Sequence, residues 1–139
     1  MPQDALHIDV AVIGAGAAGM MAAAEAAKRG RSVWLADHRT NPGEKIRISG
    51  GGRCNFTNIY TSAENFLSQN PHFCKSALAQ FTQHDFIDRV QAHGIAYHEK
   101  KLGQLFCDHS AKDIIDMLVA DCSDSGVQLV LNTSIQKVD

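Results

Sequence analysis

The chain has 139 residues, 45% of them apolar and 20% charged, with a formal net charge of −2. That length fits one small domain, and that balance excludes a disordered chain and a basic field of the kind that holds nucleic acid or anionic membrane. Cys54, Cys74, Cys107 and Cys122 stand far apart with no CxxC pair, which argues against a zinc site or a redox pair and for free thiols in a reducing cytoplasm.

The apolar stretch from Val10 to Ala24 has the look of a signal peptide, but Asp4 and Asp9 precede it where a cationic segment belongs. It also falls short of the roughly 20 apolar residues that span a bilayer. Residues 7–13 (HIDVAVI) instead predict a strand buried on both faces. GAGAAG follows, then a run of strong helix formers with Lys28 and Arg29 in the last turn and Gly30 as the residue after the cap. Residues 32–36 predict a second buried strand ending at Asp37, which completes a βαβ unit.

Residues 41–58 read as a long polar, glycine-rich loop. Thr61 with Glu64, Thr82 with Asp85, and Ser110 with Asp113 have capping-box spacing. Phe81, Phe86, Ile87, Val90 and Gln91 are read as the stripe of a helix that stops at Gly94. Residues 95–99 and 103–108 predict a hairpin turning at Lys100–Leu102. A helix carrying Ile114, Ile115, Leu118 and Val119 should end near Gly126. VQLVL (127–131) then predicts a buried strand, and SIQKVD the start of another.

The chemistry begins at the glycines. In a dinucleotide site Gly14 permits the tight turn from strand to helix, Gly16 leaves room for the pyrophosphate, and Gly19 lets helix and strand pack closely. The turn, with Ala15, Ala17 and Ala18 between the glycines, opens a helix whose N-terminal amides and dipole favour phosphate. Asp37, about 20 residues on, can accept from ribose hydroxyls and would repel a 2′-phosphate. His38 beside it is placed to meet adenosine through its backbone. This unit alone leaves FAD and NAD both open.

The next segment carries Lys45, Arg47 and Arg53 around Gly50, Gly51 and Gly52, which suits a pyrophosphate or the polar edge of a flavin. Its run GEKIRISGGGRCNFTN resembles the signature of the HI0933-like (YhiN/BaiN-type) family of FAD-dependent oxidoreductases. GQLFCDHSA and NTSIQKV resemble later segments of the same family, in order. The resemblance implies FAD bound in an extended pose, with Gly14–Gly19 at the pyrophosphate and Asp37 at the ribose. It further implies Lys45, Gly51, Gly52, Arg53, Cys54 and Asn55 toward the flavin, and the Ile135 backbone at adenine. The resemblance is to NAD(P)H-linked reductases or amine oxidases, which makes NAD(P)H a candidate electron donor.

The expected fold is therefore α/β: a Rossmann-like FAD-binding βαβ unit (1–40), a glycine-rich flavin loop (41–60), helices with a small hairpin (61–126), and a returning strand with the start of the next (127–139). Family members are much longer, so the chain reads as the N-terminal part of a larger two-domain flavoprotein. The expected function is hydride transfer through FAD to or from a small-molecule substrate in the cytoplasm. No nucleic-acid or membrane partner is expected, and an exposed sheet edge would favour self-association or pairing with the remainder of the protein. An NAD-dependent dehydrogenase and a non-catalytic FAD-binding fragment are the alternatives. No metal site is expected, no general base is nominated, and Cys54 reads as a small structural residue.

Overall fold

In the computed structural model, residues 5–139 are described, and they divide into two compact units. The first comprises the chain up to Ile46 together with Ile115–Asp139; the second is Arg47–Ile114.

The first unit is an α/β layer of Rossmann type. Strands β1 (Val10–Ile13), β2 (Val33–Ala36) and β6 (Gln128–Val130) form a parallel sheet in the order β1-β2-β6. Val10 pairs with Val33 and Ile13 with Ala36, while Trp34 pairs with Gln128. Helix α1 (Ala17–Lys28) makes the crossover from β1 to β2, and Met20, Ala23, Ala24 and Ala27 form its buried face. Small alanines let this helix sit close to the sheet. It ends as the sequence predicts: Gly30 has φ +81°, its amide donates to Ala27 O, and the Arg31 amide donates to Ala26 O. That is a Schellman closure. Helix α5 (Lys112–Ser125), with Met117, Leu118 and Cys122 buried, leads into β6.

The expectation of burial holds for three of the four β2 residues, Trp34 being half-buried, and fails for its neighbours. Along β1, half-buried and exposed residues alternate, and β6 has no fully buried residue. β2 is the central strand, with β1 and β6 on either side of it. Residues 133–139 form no strand, in contrast to the pattern read from SIQKVD.

In the second unit β3 (Asn55–Asn58), β5 (Gln104–Cys107) and β4 (Tyr97–Glu99) form an antiparallel sheet with β5 in the middle. The predicted hairpin is present, its turn closed by Leu102 (φ +52°) and Gly103 (φ +79°). Helix α3 (Lys75–Gln80) precedes α4 (Gln83–Ala92), and Phe56, Phe81, Phe86 and Tyr97 pack as an aromatic cluster with centroids 5.6–6.5 Å apart.

Two local expectations change. Most of residues 41–58 is secondary structure and not an open loop: α2 (Glu44–Ile48), a 3₁₀ turn at Ser49–Gly52, then β3 from Asn55. The capping box read at Thr61–Glu64 forms one residue later, between Ser62 and Asn65, while Ser110 Oγ accepts from the Lys112 amide and does not form its predicted box. The box at Thr82 and Asp85 forms as read. Among the described residues no helix is long and apolar enough to cross a membrane.

Candidate functional site

The glycine motif builds the mouth of α1. Gly14 bends with φ +106°, and its amide donates to Ala36 O at 2.7 Å, which ties the turn to the end of β2. At Gly19 a Cβ would fall 1.8 Å from the Gly14 carbonyl oxygen, so any side chain there would break the strand–helix contact. Gly16 differs, because a Cβ there would meet nothing within 4 Å. The space over Gly16 is free for a ligand, and no side chain caps the helix at this residue. The first-turn amides therefore remain directed at whatever occupies that space.

Asp37 stands at the other side of the turn, its side chain 13% exposed. The Ala15 amide donates to Oδ2 and the Arg39 amide to Oδ1, each at 2.8 Å. These bonds, Arg39 first and Ala15 second, hold the carboxyl below its ordinary range. A carboxylate held this way keeps lone pairs for ribose hydroxyls. His38 Nδ1 lies 3.5 Å from Oδ1, and the His38 side chain is largely exposed.

Between the turn and Asp37 opens a cleft of about 350 Å³, walled also by Arg39, Asn41 and the Gly43–Ile46 stretch. The Gly43 amide donates to Ala15 O at 2.8 Å, and a Cβ on Gly43 would come within 2.9 Å of Ile115. Gly43, at φ +70°, thus fastens this wall against the glycine turn. Of the residues expected at a cofactor, Ala15, Gly16, Ala17, Asp37 and Lys45 line this one cleft. Gly14, Ala18, Gly19 and His38 shape its surroundings and do not line it. Arg39, Asn41 and Glu44 line it without having been expected; a basic residue two beyond Asp37 was the available signal.

The remaining expected residues are not among those lining this cleft. Gly51, Gly52, Arg53, Cys54 and Asn55 belong to the second unit, and Ile135 lies in the irregular stretch after β6. Gly50, Gly51 and Gly52 all have positive φ, as does Cys54 at +51°. Gly50 is needed sterically, since a Cβ would come 2.7 Å from the Asn55 nitrogen and 2.9 Å from the Phe106 ring. Cys54 and Cys107, far apart in sequence, are both buried around the β3–β5 ladder, where the Cys107 amide donates to Arg53 O. Burial raises the Cys54 thiol and pushes Cys107 up to about 12, the nearby Cys54 adding to the latter. Thiolate chemistry is thereby disfavoured, in keeping with a structural role. Among the described residues no cluster could hold a metal ion.

A parallel sheet, a glycine turn opening a helix, and a carboxylate at the end of the next strand define a dinucleotide-binding domain of Rossmann type. Residues 8–139 match the HI0933-like protein Rossmann domain, and the chain belongs to that family. It is 59% identical over 132 residues to the ribosomal RNA dihydrouridine synthase of Escherichia coli K12, covering 95% of this chain and 33% of that protein. It is 51% identical over 128 residues to the enzyme of the same name from Haemophilus influenzae, covering 92% of this chain and 32% of that protein. The chain thus spans about a third of the length of these curated relatives. The 3-ketosteroid-Δ4-(5α)-dehydrogenase of Rhodococcus jostii RHA1 shares the fold, with a TM-score of 0.61 at 14% identity over 90% of this chain and 38% of that one.

Proposed function

We propose that the protein is an FAD-dependent reductase acting on uridine in ribosomal RNA. The observation that carries the cofactor is Asp37, held between the Ala15 and Arg39 amides beside an uncapped helix mouth with open space over Gly16. The substrate is supported by the names of the two relatives above half identity.

The residues present fit the group. The first-turn amides of α1 would hold the pyrophosphate, Arg39 and Lys45 on the same cleft would offset its charge, and Asp37 would accept from the adenosine ribose. Bound FAD supplies hydride transfer, with NAD(P)H as the proposed donor. The assignment of Gly51, Gly52, Arg53, Cys54 and Asn55 to the flavin, and of the Ile135 backbone to adenine, is carried by the family resemblance alone. A polynucleotide substrate departs from the expectation drawn from charge. The net charge of −2 belongs to about a third of the relatives' length and does not fix the charge of the face that meets RNA. Such a substrate goes with a cytoplasmic protein.

The test uses the full-length protein with NAD(P)H and ribosomal RNA from cells lacking it, followed by mass spectrometry of the nucleosides. A flavin spectrum and uridine gaining two hydrogens are expected. Protein that stays colourless after incubation with FAD would sink the cofactor reading. Flavin-loaded protein that leaves uridine unchanged would sink the substrate.

A further inference from the structure

We infer that a cleft beside the β4–β5 turn, walled by Tyr60 and Leu102, seats one unpaired base of an RNA strand. The inference rests on the ribosomal RNA reading above and adds to it a place where the strand is held.

The cleft measures about 400 Å³ and is lined by Asn58, Tyr60, Thr61, Asn65 and Leu102, all in the second unit. Tyr60 is 73% exposed, yet its ring is fixed from beneath. A Cβ on Gly103 would fall 2.6 Å from ring Cδ2 and 2.9 Å from Cε2, so the ring rests on the bare Gly103 backbone. Asn58 locks the same corner: its Oδ1 accepts from the Tyr60 amide at 2.9 Å, and its Nδ2 donates to Leu102 O at 3.0 Å. The Ile59 amide donates to Gly103 O at 2.9 Å. Leu102, 79% exposed, is held with φ +52° in a left-handed conformation that leucine rarely adopts. An aromatic ring and an aliphatic side chain are thus presented to solvent on a braced turn.

Chemistry selects the occupant. Sequence-tolerant recognition of single-stranded RNA uses exposed aromatic faces on which bases stack, with cations nearby for phosphate. Lys100 and Lys101 lead directly into Leu102, and both are exposed. Lys100 Nζ is drawn over the Phe106 ring, 5.3 Å from its centroid. Glu99, the acid of the same turn, has Oε1 engaged by the Gly103 amide at 3.0 Å. Asn65 Oδ1 accepts from the Ser62 amide at 2.8 Å, which leaves its Nδ2 hydrogens for a base edge.

The experiment measures binding of fluorescein-labelled oligouridylate to the full-length, FAD-loaded protein by anisotropy. Tyr60→Ala should weaken binding about tenfold or more, the range expected when one stacking partner is lost. Tyr60→Phe should stay within about twofold, because the π face remains. Lys101→Gln should lower the salt slope by about 1. Leu102→Asn, which the left-handed backbone tolerates, should weaken binding severalfold and serves if Tyr60→Ala misfolds. Unchanged binding by Tyr60→Ala or Leu102→Asn with the flavin spectrum intact overturns the inference, as does wild-type protein that ignores oligouridylate. Wild type that binds oligouridylate through Tyr60 but never reduces ribosomal uridine leaves the base seat standing and sinks only the proposed reaction.

Discussion

A methyl group at Gly19 would lie 1.8 Å from the Gly14 carbonyl oxygen, whereas one at Gly16 would meet no protein atom within 4 Å. The two positions should therefore separate folding from binding. Gly19→Ala is expected to lower stability by about 1–3 kcal/mol, the usual cost of forcing atoms into a packed contact, read by urea denaturation. Gly16→Ala should leave that curve nearly unchanged and weaken FAD binding, read by flavin titration. Asp37 offers a pH-dependent test. Its folded carboxyl is lowered by the Arg39 and Ala15 amides, so the unfolded chain binds protons more readily and stability rises with pH across the interval between the two values. The contribution is complete above the ordinary value of about 3.9 and is lost as pH falls through the lowered one. Asp37→Asn should thus be destabilising at pH 7, with the difference from wild type shrinking in acid, as followed by thermal melting. The glycine spacing and Asp37 were legible because each does a local job that few residues can do. Arg39 carried a local signal, a basic residue two beyond Asp37, whereas Asn41 and Glu44 carried none, since their place on the cleft follows from where Gly43 pins the wall.

Short elements show what a pattern can and cannot reveal. Helix α4 was legible because its N-cap chemistry is self-contained: Asp85 Oδ2 accepts from the Thr82 amide at 2.7 Å, and Thr82 Oγ1 accepts from the Asp85 amide at 3.2 Å. Thr82→Ala should cost about 1 kcal/mol in a denaturant titration. At Thr61–Glu64 the same spacing misled by one residue, because Ser62 with Asn65 offers an equivalent pair of bonds. Strand β3 left no signal in sequence. Its residues NFTN lack a clear alternation, and they become a strand by pairing with β5, Asn55 with Phe106 and Asn58 with Gln104. Helix α2 has only five residues, too few for an apolar period to declare itself.

For the whole molecule, the organisation into two units left one trace in composition: all six phenylalanines and both tyrosines fall within Arg47–Ile114, while the boundaries themselves carry no Pro- or Ser-rich linker that would mark them. The second unit is a single continuous insertion, entered after Ile46 and left before Ile115. This connectivity bears on the order in which the parallel sheet can be assembled. Strands β1 and β2 are joined through α1 alone, so Val10 can find Val33 across a short closure. Trp34 can find Gln128 only after the entire insertion has been drawn back on itself. A longer closure costs more entropy, about 0.6 kcal/mol for each doubling, and distant pairings form more slowly than near ones. In pulse-labelling hydrogen exchange during refolding, the β1–β2 amides should gain protection before those of β6. Simultaneous protection would show that collapse of the insertion keeps pace with the local unit. The half of the sheet that carries the glycine turn and Asp37 is then the earliest to exist, and a nascent chain could present the beginnings of a nucleotide site well before its sheet is complete.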